Sequence, residues 1–159
     1  MRNASVTVAA PSQDPVMVEL LREHRCLSDA LYYEARGEGK QGEMAIAEVI
    51  FTRLRKGTYG HSICNVVYAG AGRHGCQFSF ACDGKSLRRP RAYAAWQRAQ
   101  YLAAQIMVGQ ARLTNITEGA TNFHSIAVNP DWAFEMEKTT QIGNHIFYRP
   151  IRRSFTRGA

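Results

Sequence analysis

Acidic residues are almost absent from the middle of this 159-residue chain: residues 50–117 hold ten Lys and Arg against Asp83 alone. Residues 1–49 carry five bases and eight acids, residues 118–137 four acids and no base, and residues 138–159 five bases and no acid. The formal charge is +7. So uneven a distribution points to a polyanionic partner: nucleic acid, a membrane surface or an anionic wall polymer. No apolar run approaches the ~20 residues of a membrane-spanning helix, so no membrane span is expected. The four cysteines form no Cys-x-x-Cys pair and the five histidines no His-Glu-x-x-His pair. Those absences argue against a structural zinc site, a thioredoxin-type redox site and a zincin-type centre, so no metal is expected. Met1 to Pro15 lacks the roughly 7–15-residue apolar core of a secretory signal.

What is present is ordinary for a globular protein. At 45% hydrophobic and 21% charged residues, wholesale disorder, collagen-like and coiled-coil classes are excluded. The length suits one domain, burying roughly 68–70% of its unfolded surface. Residues 1–15 read as a flexible lead-in, 16–150 as a single domain and 151–159 as a basic tail. Helices are expected at Val16–Arg25, at Ser28–Arg36 (capped by Ser28 or Asp29 and stopped by Gly37), at Gln41–Arg55 and at Arg91–Gly109. In the third, Met44, Ala47, Ile50, Phe51 and Leu54 share a face while Glu43 and Arg53 fall elsewhere. Gly57–Lys85 is Gly-rich and irregular and holds Cys64, Cys76 and Cys82; so long a loop in a small domain is usually functional. Strand character follows at Ala120–Val128 and at Ile142–Tyr148, the latter with a Gly143-Asn144 turn signal. The expected fold class is α+β, mainly helical with a small antiparallel sheet near the C-terminus.

Chemistry is densest in Leu31-Tyr32-Tyr33-Glu34-Ala35-Arg36-Gly37-Glu38. Glu34 falls near the C-terminal end of an apolar helix. If it faces inward, burial and the helix terminus both disfavour its charged form, as a general acid requires. If it faces outward, it pairs with Arg36 or Lys40 at the surface.

The stretch Tyr32-Tyr33-Glu34-Ala35-Arg36-Gly37-Glu38, followed by Gly42-x-x-Ala45-x-Ala47-Glu48-Val49-Ile50-x-x-Arg53, resembles the SleB-type cell wall hydrolases. The resemblance continues through Ile63-Cys64-x-Val66-Val67-Tyr68, Gln77-Phe78-Ser79-Phe80 with Cys82-Asp83-Gly84, and Gly119-Ala120-Thr121. It ends with Trp132 and Ile142-Gly143-Asn144-His145-Ile146-Phe147-Tyr148. Five ordered blocks over residues 26–149 make a specific signal. The resemblance implies a lysozyme-like fold, cleavage of the N-acetylmuramic acid to N-acetylglucosamine β-1,4 bond of peptidoglycan, and Glu34 as catalytic acid. It implies no cofactor.

A hydrolase of this kind needs a second carboxylate, ~5–5.5 Å away for retention or ~6.5–9.5 Å for inversion. A lytic transglycosylase does not, because the sugar's C6 hydroxyl attacks C1 and leaves a 1,6-anhydro end. Glu38 is the nearest second carboxylate, read as supporting, so the transglycosylase is favoured over a hydrolytic muramidase. The other candidate substrate contacts are Tyr33, Gln77, Ser79, His124, Trp132 and His145. Phe78 and Phe80 suit the core, Trp96 suits either core or cleft, and both histidines suit structural hydrogen bonds equally well. Thr121-Asn122-Phe123-His124 stands where related sequences carry Thr-His-Tyr-His, and the departures at Asn122 and Phe123 weaken any polar role at those two positions.

Three other classes compete. A cysteine peptidase would use Cys26 with His124 or His145, and a zinc amidase would need ligands that the histidine spacing does not provide. A binding module would use Arg88, Arg89 and Arg91 with Tyr93 and Trp96 on nucleic acid, but no nucleic-acid motif accompanies them. The even cysteine count permits two disulfides, and spacing suggests Cys76–Cys82 and Cys26–Cys64. Disulfides imply an oxidising place in the cell envelope, periplasmic or secreted. The leader is either removed or replaced by another route, as in a phage-type lysin. The expected partner is the glycan strand of peptidoglycan, met by a monomer.

Overall fold

One helix of 21 residues, α1 (Pro15–Ala35), replaces the two short helices expected between Val16 and Arg36. The computed structural model describes residues 13–71, 76, 78–84, 90 and 92–152. The lead-in up to residue 12, the tail from 153, Gln77, Arg88, Arg89 and Arg91 lie outside the described residues. Asp14 starts α1 by accepting the Val16 N–H at 2.8 Å, and Pro15 occupies a first-turn position where it forfeits no hydrogen bond. Nothing at Cys26 or Leu27 interrupts the helix. Ser28, expected as a cap, donates its hydroxyl to the His24 carbonyl one turn back at 2.7 Å, the bond that lets serine sit inside a helix. Asp29 is buried mid-helix and accepts from Tyr68 Oη at 2.6 Å and from Arg25 Nε at 2.9 Å. Gly37, as expected, lies just past the end with φ of +89°.

Helix α2 (Gly39–Lys56) closes at Gly57, whose φ of +75° lets its N–H reach the Arg53 carbonyl. Within the stretch expected to be irregular, Ile63–Val67 forms α3 and Ser79–Ala81 a single 3₁₀ turn. Helix α3 is capped twice: Ser62 Oγ takes the Asn65 N–H at 3.0 Å, and the Glu23 carboxylate of α1 takes the amides of Ile63 and Cys64. Beside that contact Cys26 and Cys64 are bonded, and Cys76 is bonded to Cys82. Both disulfides pair as the spacing suggested. Helix α4 (Tyr93–Met107) lies against α1 through Trp96, Ala99, Leu102, Ala103 and Ile106, all buried.

Three antiparallel strands follow, in the order β1-β3-β2: β1 (Asn122–Ser125), β2 (Met136–Ile142) and β3 (His145–Pro150). The middle strand β3 pairs His124 with Ile146 on one side and Gln141 with Ile146 on the other. Strand β2 was not expected. Its sequence, Met-Glu-Lys-Thr-Thr-Gln-Ile, is largely polar, and no residue in it is buried, so it offers no apolar alternation to read. The Gly143-Asn144 pair does turn β2 into β3.

Leu27, Leu31, Ile46, Val49, Ile50, Val66, Val67, Phe78, Phe80 and Phe147 are the fully buried centre, each worth roughly 1.5–3 kcal/mol of burial. Glu48 and Arg53 are charged side chains buried beside them. Glu48 on α2 accepts from Ile116 N–H at 3.1 Å, Thr117 N–H at 2.8 Å and Thr117 Oγ1 at 2.6 Å, fixing the segment between α4 and β1. Arg53, expected off the apolar face, is buried: its Nε donates to the Thr121 carbonyl at 2.6 Å and its guanidinium lies over Tyr59 and Phe78. The rings take the planar faces while the edge donates, so this cation fits an aromatic interior. Among the described residues, no helix is long and apolar enough to cross a membrane.

Candidate active site

Leu27, Ala30, Leu31 and Glu34 fall at i, i+3, i+4 and i+7 on one stripe of α1. The first three are wholly buried, and Glu34, the last polar step before the helix ends, is half-buried. Its neighbour Tyr33 turns to the other flank and stacks on Phe80 with centroids 5.0 Å apart. Burial raises the Tyr33 pKa, so its phenol keeps the proton.

Glu38 stands beyond the turn at Gly37 and reaches across to the sheet. Its Oε2 accepts the Asn144 N–H at 3.0 Å, linking the end of α1 to the β2–β3 turn. The carboxylate lies against Gly143 and its Cβ against Gly42; a methyl at either glycine would overlap it. Gly143 also has φ of +56°. We expect Gly143→Ala to cost about 1–3 kcal/mol through backbone strain together with displacement of Glu38. At Gly37 the φ is also positive but nothing lies near an added Cβ, so Gly37→Ala carries only the backbone cost. Urea unfolding of the two variants checks the difference.

The two histidines take different positions. His145 is buried against Phe123, centroids 5.2 Å apart, close enough to Glu38 to feel its charge. Burial outweighs that charge and lowers the imidazole pKa. His145 Nδ1 is the only buried side-chain nitrogen or oxygen among the described residues without a hydrogen-bond partner. His124, also buried, has both nitrogens engaged: Nδ1 with the Ser125 carbonyl at 2.8 Å and Nε2 with the Tyr148 hydroxyl at 2.9 Å. Trp132 is half-buried and set edge-on to both His124 and Tyr148.

A cavity of about 530 Å³ is lined by Arg53, Cys76, Asn122, Phe123, His124 and Trp132, together with Val128 and Pro130. Phe123 lines this cavity and also touches Phe78 and His145. Arg53 supplies positive charge to the cavity, because burial lowers its pKa only to about 10. Sequence reasoning missed Arg53 and Phe123. The signal for Arg53 was the spacing of Glu48, Thr52 and Arg53, which form one buried polar patch on α2. Of the remaining candidates, Ser79 is exposed at the start of its 3₁₀ turn and Gln77 lies outside the described residues. Trp96 is core: it packs on Tyr32 beneath the Arg25 guanidinium. Cys26 is in a disulfide and holds no free thiol. Among the described residues no group of three or more His, Cys, Asp and Glu comes together as a metal-ligand set.

Comparison with known proteins covers most of this architecture. The chain is 27% identical over 128 residues to the spore cortex-lytic enzyme of Bacillus subtilis (strain 168), spanning 77% of this chain and 36% of that enzyme. It is 28% identical over 126 residues to the spore cortex-lytic enzyme of Halalkalibacterium halodurans, spanning 76% and 33%. The chain thus spans about a third of the length of these relatives. The catalytic domain of the Bacillus cereus SleB protein superposes with a TM-score of 0.59 at 21% identity, covering 81% of this chain and 91% of that one. The catalytic domain of the germination-specific lytic transglycosylase SleB of Bacillus anthracis gives 0.60 at 20% identity, covering 90% and 100%. The fold is therefore the lysozyme-like fold of those domains. The profile of the Cell Wall Hydrolase family matches residues 37–148, from the glycine that ends the Glu34 segment to the hydroxyl partner of His124, and the chain belongs to that family.

Proposed function

We propose that this domain cleaves the β-1,4 bond between N-acetylmuramic acid and N-acetylglucosamine in peptidoglycan, as a lytic transglycosylase with Glu34 as acid and then base. The observation that carries this reading is the position of Glu34, half-buried at the open end of a stripe that is otherwise wholly buried. The protonated carboxyl gives its proton to the glycosidic oxygen as the C1–O bond breaks and positive charge develops at C1. The resulting carboxylate then takes the proton of the C6 hydroxyl as that oxygen bonds to C1. No water is consumed, and Glu34 returns to its starting state.

A second catalytic carboxylate is the requirement of the hydrolytic alternative. Glu38 is poorly suited to it, since its carboxylate is held by the Asn144 N–H and lies against Gly143. The aromatic walls at Phe123 and Trp132, with the Arg53 guanidinium, suit the faces and N-acetyl oxygens of sugar rings. Two disulfides fit an oxidising site of action in the cell envelope. Mass spectrometry of fragments released from purified walls tests the reaction: 1,6-anhydro ends are expected. Reducing muramic ends would mean hydrolysis, and cut stem peptides would mean another class of enzyme.

A further inference from the structure

A second cavity, of about 540 Å³, lies between the start of α2 and the middle of α4. It shares no residue with the cavity at Phe123 and Trp132. Lys40 and Glu43 line it from α2; Arg98, Tyr101 and Gln105 line it from α4, with buried Leu102 among them. Gly37 also lines it, which brings it within three residues of Glu34.

Its chemistry is amphoteric. Lys40 and Arg98 offer two cations, and Glu43 offers one carboxyl group. Burial raises the Glu43 pKa while the nearby Arg98 charge opposes that rise. No ion pair joins Glu43 to Arg98 or Lys40 among the described residues, so the charges stand apart around the space. Tyr101, 68% exposed, adds an aromatic face. Such a lining matches a ligand with carboxylates, an amine and small apolar groups in one short chain. A uniform polyanion would not need the acid.

We propose that this cavity is a subsite for the stem peptide carried by the muramic acid, a claim that rests on Glu34 marking the cleavage point. A stem peptide has carboxylates, methyl side chains and, at its diamino acid, a free amine. It hangs from the sugar whose C1 is attacked. Extended at ~3.3–3.6 Å per residue, three or four residues reach about 10–14 Å, and Gly37, which lines the cavity, follows Glu34 by three residues just past the end of α1. Arg98 and Lys40 hold the carboxylates, Glu43 takes the amine and Tyr101 covers the methyl groups.

The test compares glycan strands bearing stem peptides with the same strands stripped by an amidase, using the intact protein. A charge-assisted contact predicts kcat/KM roughly tenfold higher on the peptide-bearing strands. Arg98→Gln and Glu43→Gln are expected to remove that preference while leaving the stripped strands cleaved at the wild-type rate. Retention of the preference in both variants, or an equal loss on both substrates, overturns the inference. A binding arm separates it from the reading of Glu34. Free stem tetrapeptide, titrated into the wild-type protein by NMR, is expected to shift the amides of residues 39–43 and 98–105 saturably, and more weakly in Arg98→Gln. No shift at those amides overturns the subsite even when strands are cleaved. A shift in a protein that cleaves no strand supports the subsite and sinks the reading of Glu34.

Discussion

Glu34→Gln is expected to lower the rate of wall lysis by on the order of 10²–10⁴-fold, the usual contribution of a positioned acid and base. The substitution keeps the shape of the side chain and removes only its ability to give and take a proton. Because Glu34 sits at the end of the α1 stripe rather than within the core, the fold should survive. Circular dichroism and the melting temperature check that point. A matched variant sharpens the result. In Glu38→Gln the amide oxygen can still accept the Asn144 N–H, so that turn stays tied to α1 and less than tenfold of the rate should go, as for a supporting hydrogen bond. Equal, large losses at both positions would mean two working carboxylates and a hydrolytic mechanism. Wild-type lysis by folded Glu34→Gln would remove the assignment altogether.

The parts legible from sequence were those written in short-range pattern. The end of α1 could be read because its apolar face and the Gly37 stop fall within eight residues. The Gly143-Asn144 turn is local for the same reason. Strand β2 was not legible, because its hydrogen bonds to β3 form without a buried face to mark them. The split of α1 into two helices came from giving Ser28 and Asp29 their usual capping role; in the fold their side chains are satisfied by His24, Arg25 and Tyr68. Arg53 was misplaced for a related reason. A guanidinium is read as solvent-facing until the rings of Tyr59 and Phe78 and the Thr121 carbonyl come together around it, and these are distant in sequence. The same holds for Phe123, whose role comes from joining two groups of side chains.

The two disulfides should separate stability from activity. Cys26 and Cys64 are 38 residues apart, and Cys76 and Cys82 are six apart. In the chain-entropy account, losing the long link costs about 4 kcal/mol and losing the short one about 2 kcal/mol. Cys26→Ala with Cys64→Ala should therefore lower the melting temperature by about 8–16 °C at this chain length. The Glu23 carboxylate and the Tyr68 to Asp29 hydrogen bond still join α3 to α1 in that variant, so the folded fraction should keep its site and its activity. The short link has the opposite balance. It closes the segment carrying Phe78 and Phe80, whose rings pack on Phe123 and Tyr33, and Cys76 itself lines the cavity at Phe123. Cys76→Ala with Cys82→Ala should thus melt only modestly lower yet lose a larger share of lytic rate per folded molecule. Thermal melts and rates normalised to folded protein would show the crossover. If the long link governed rate and the short link governed melting, the loop would not be the wall of the site, and the cleft would have to be sought away from Phe123.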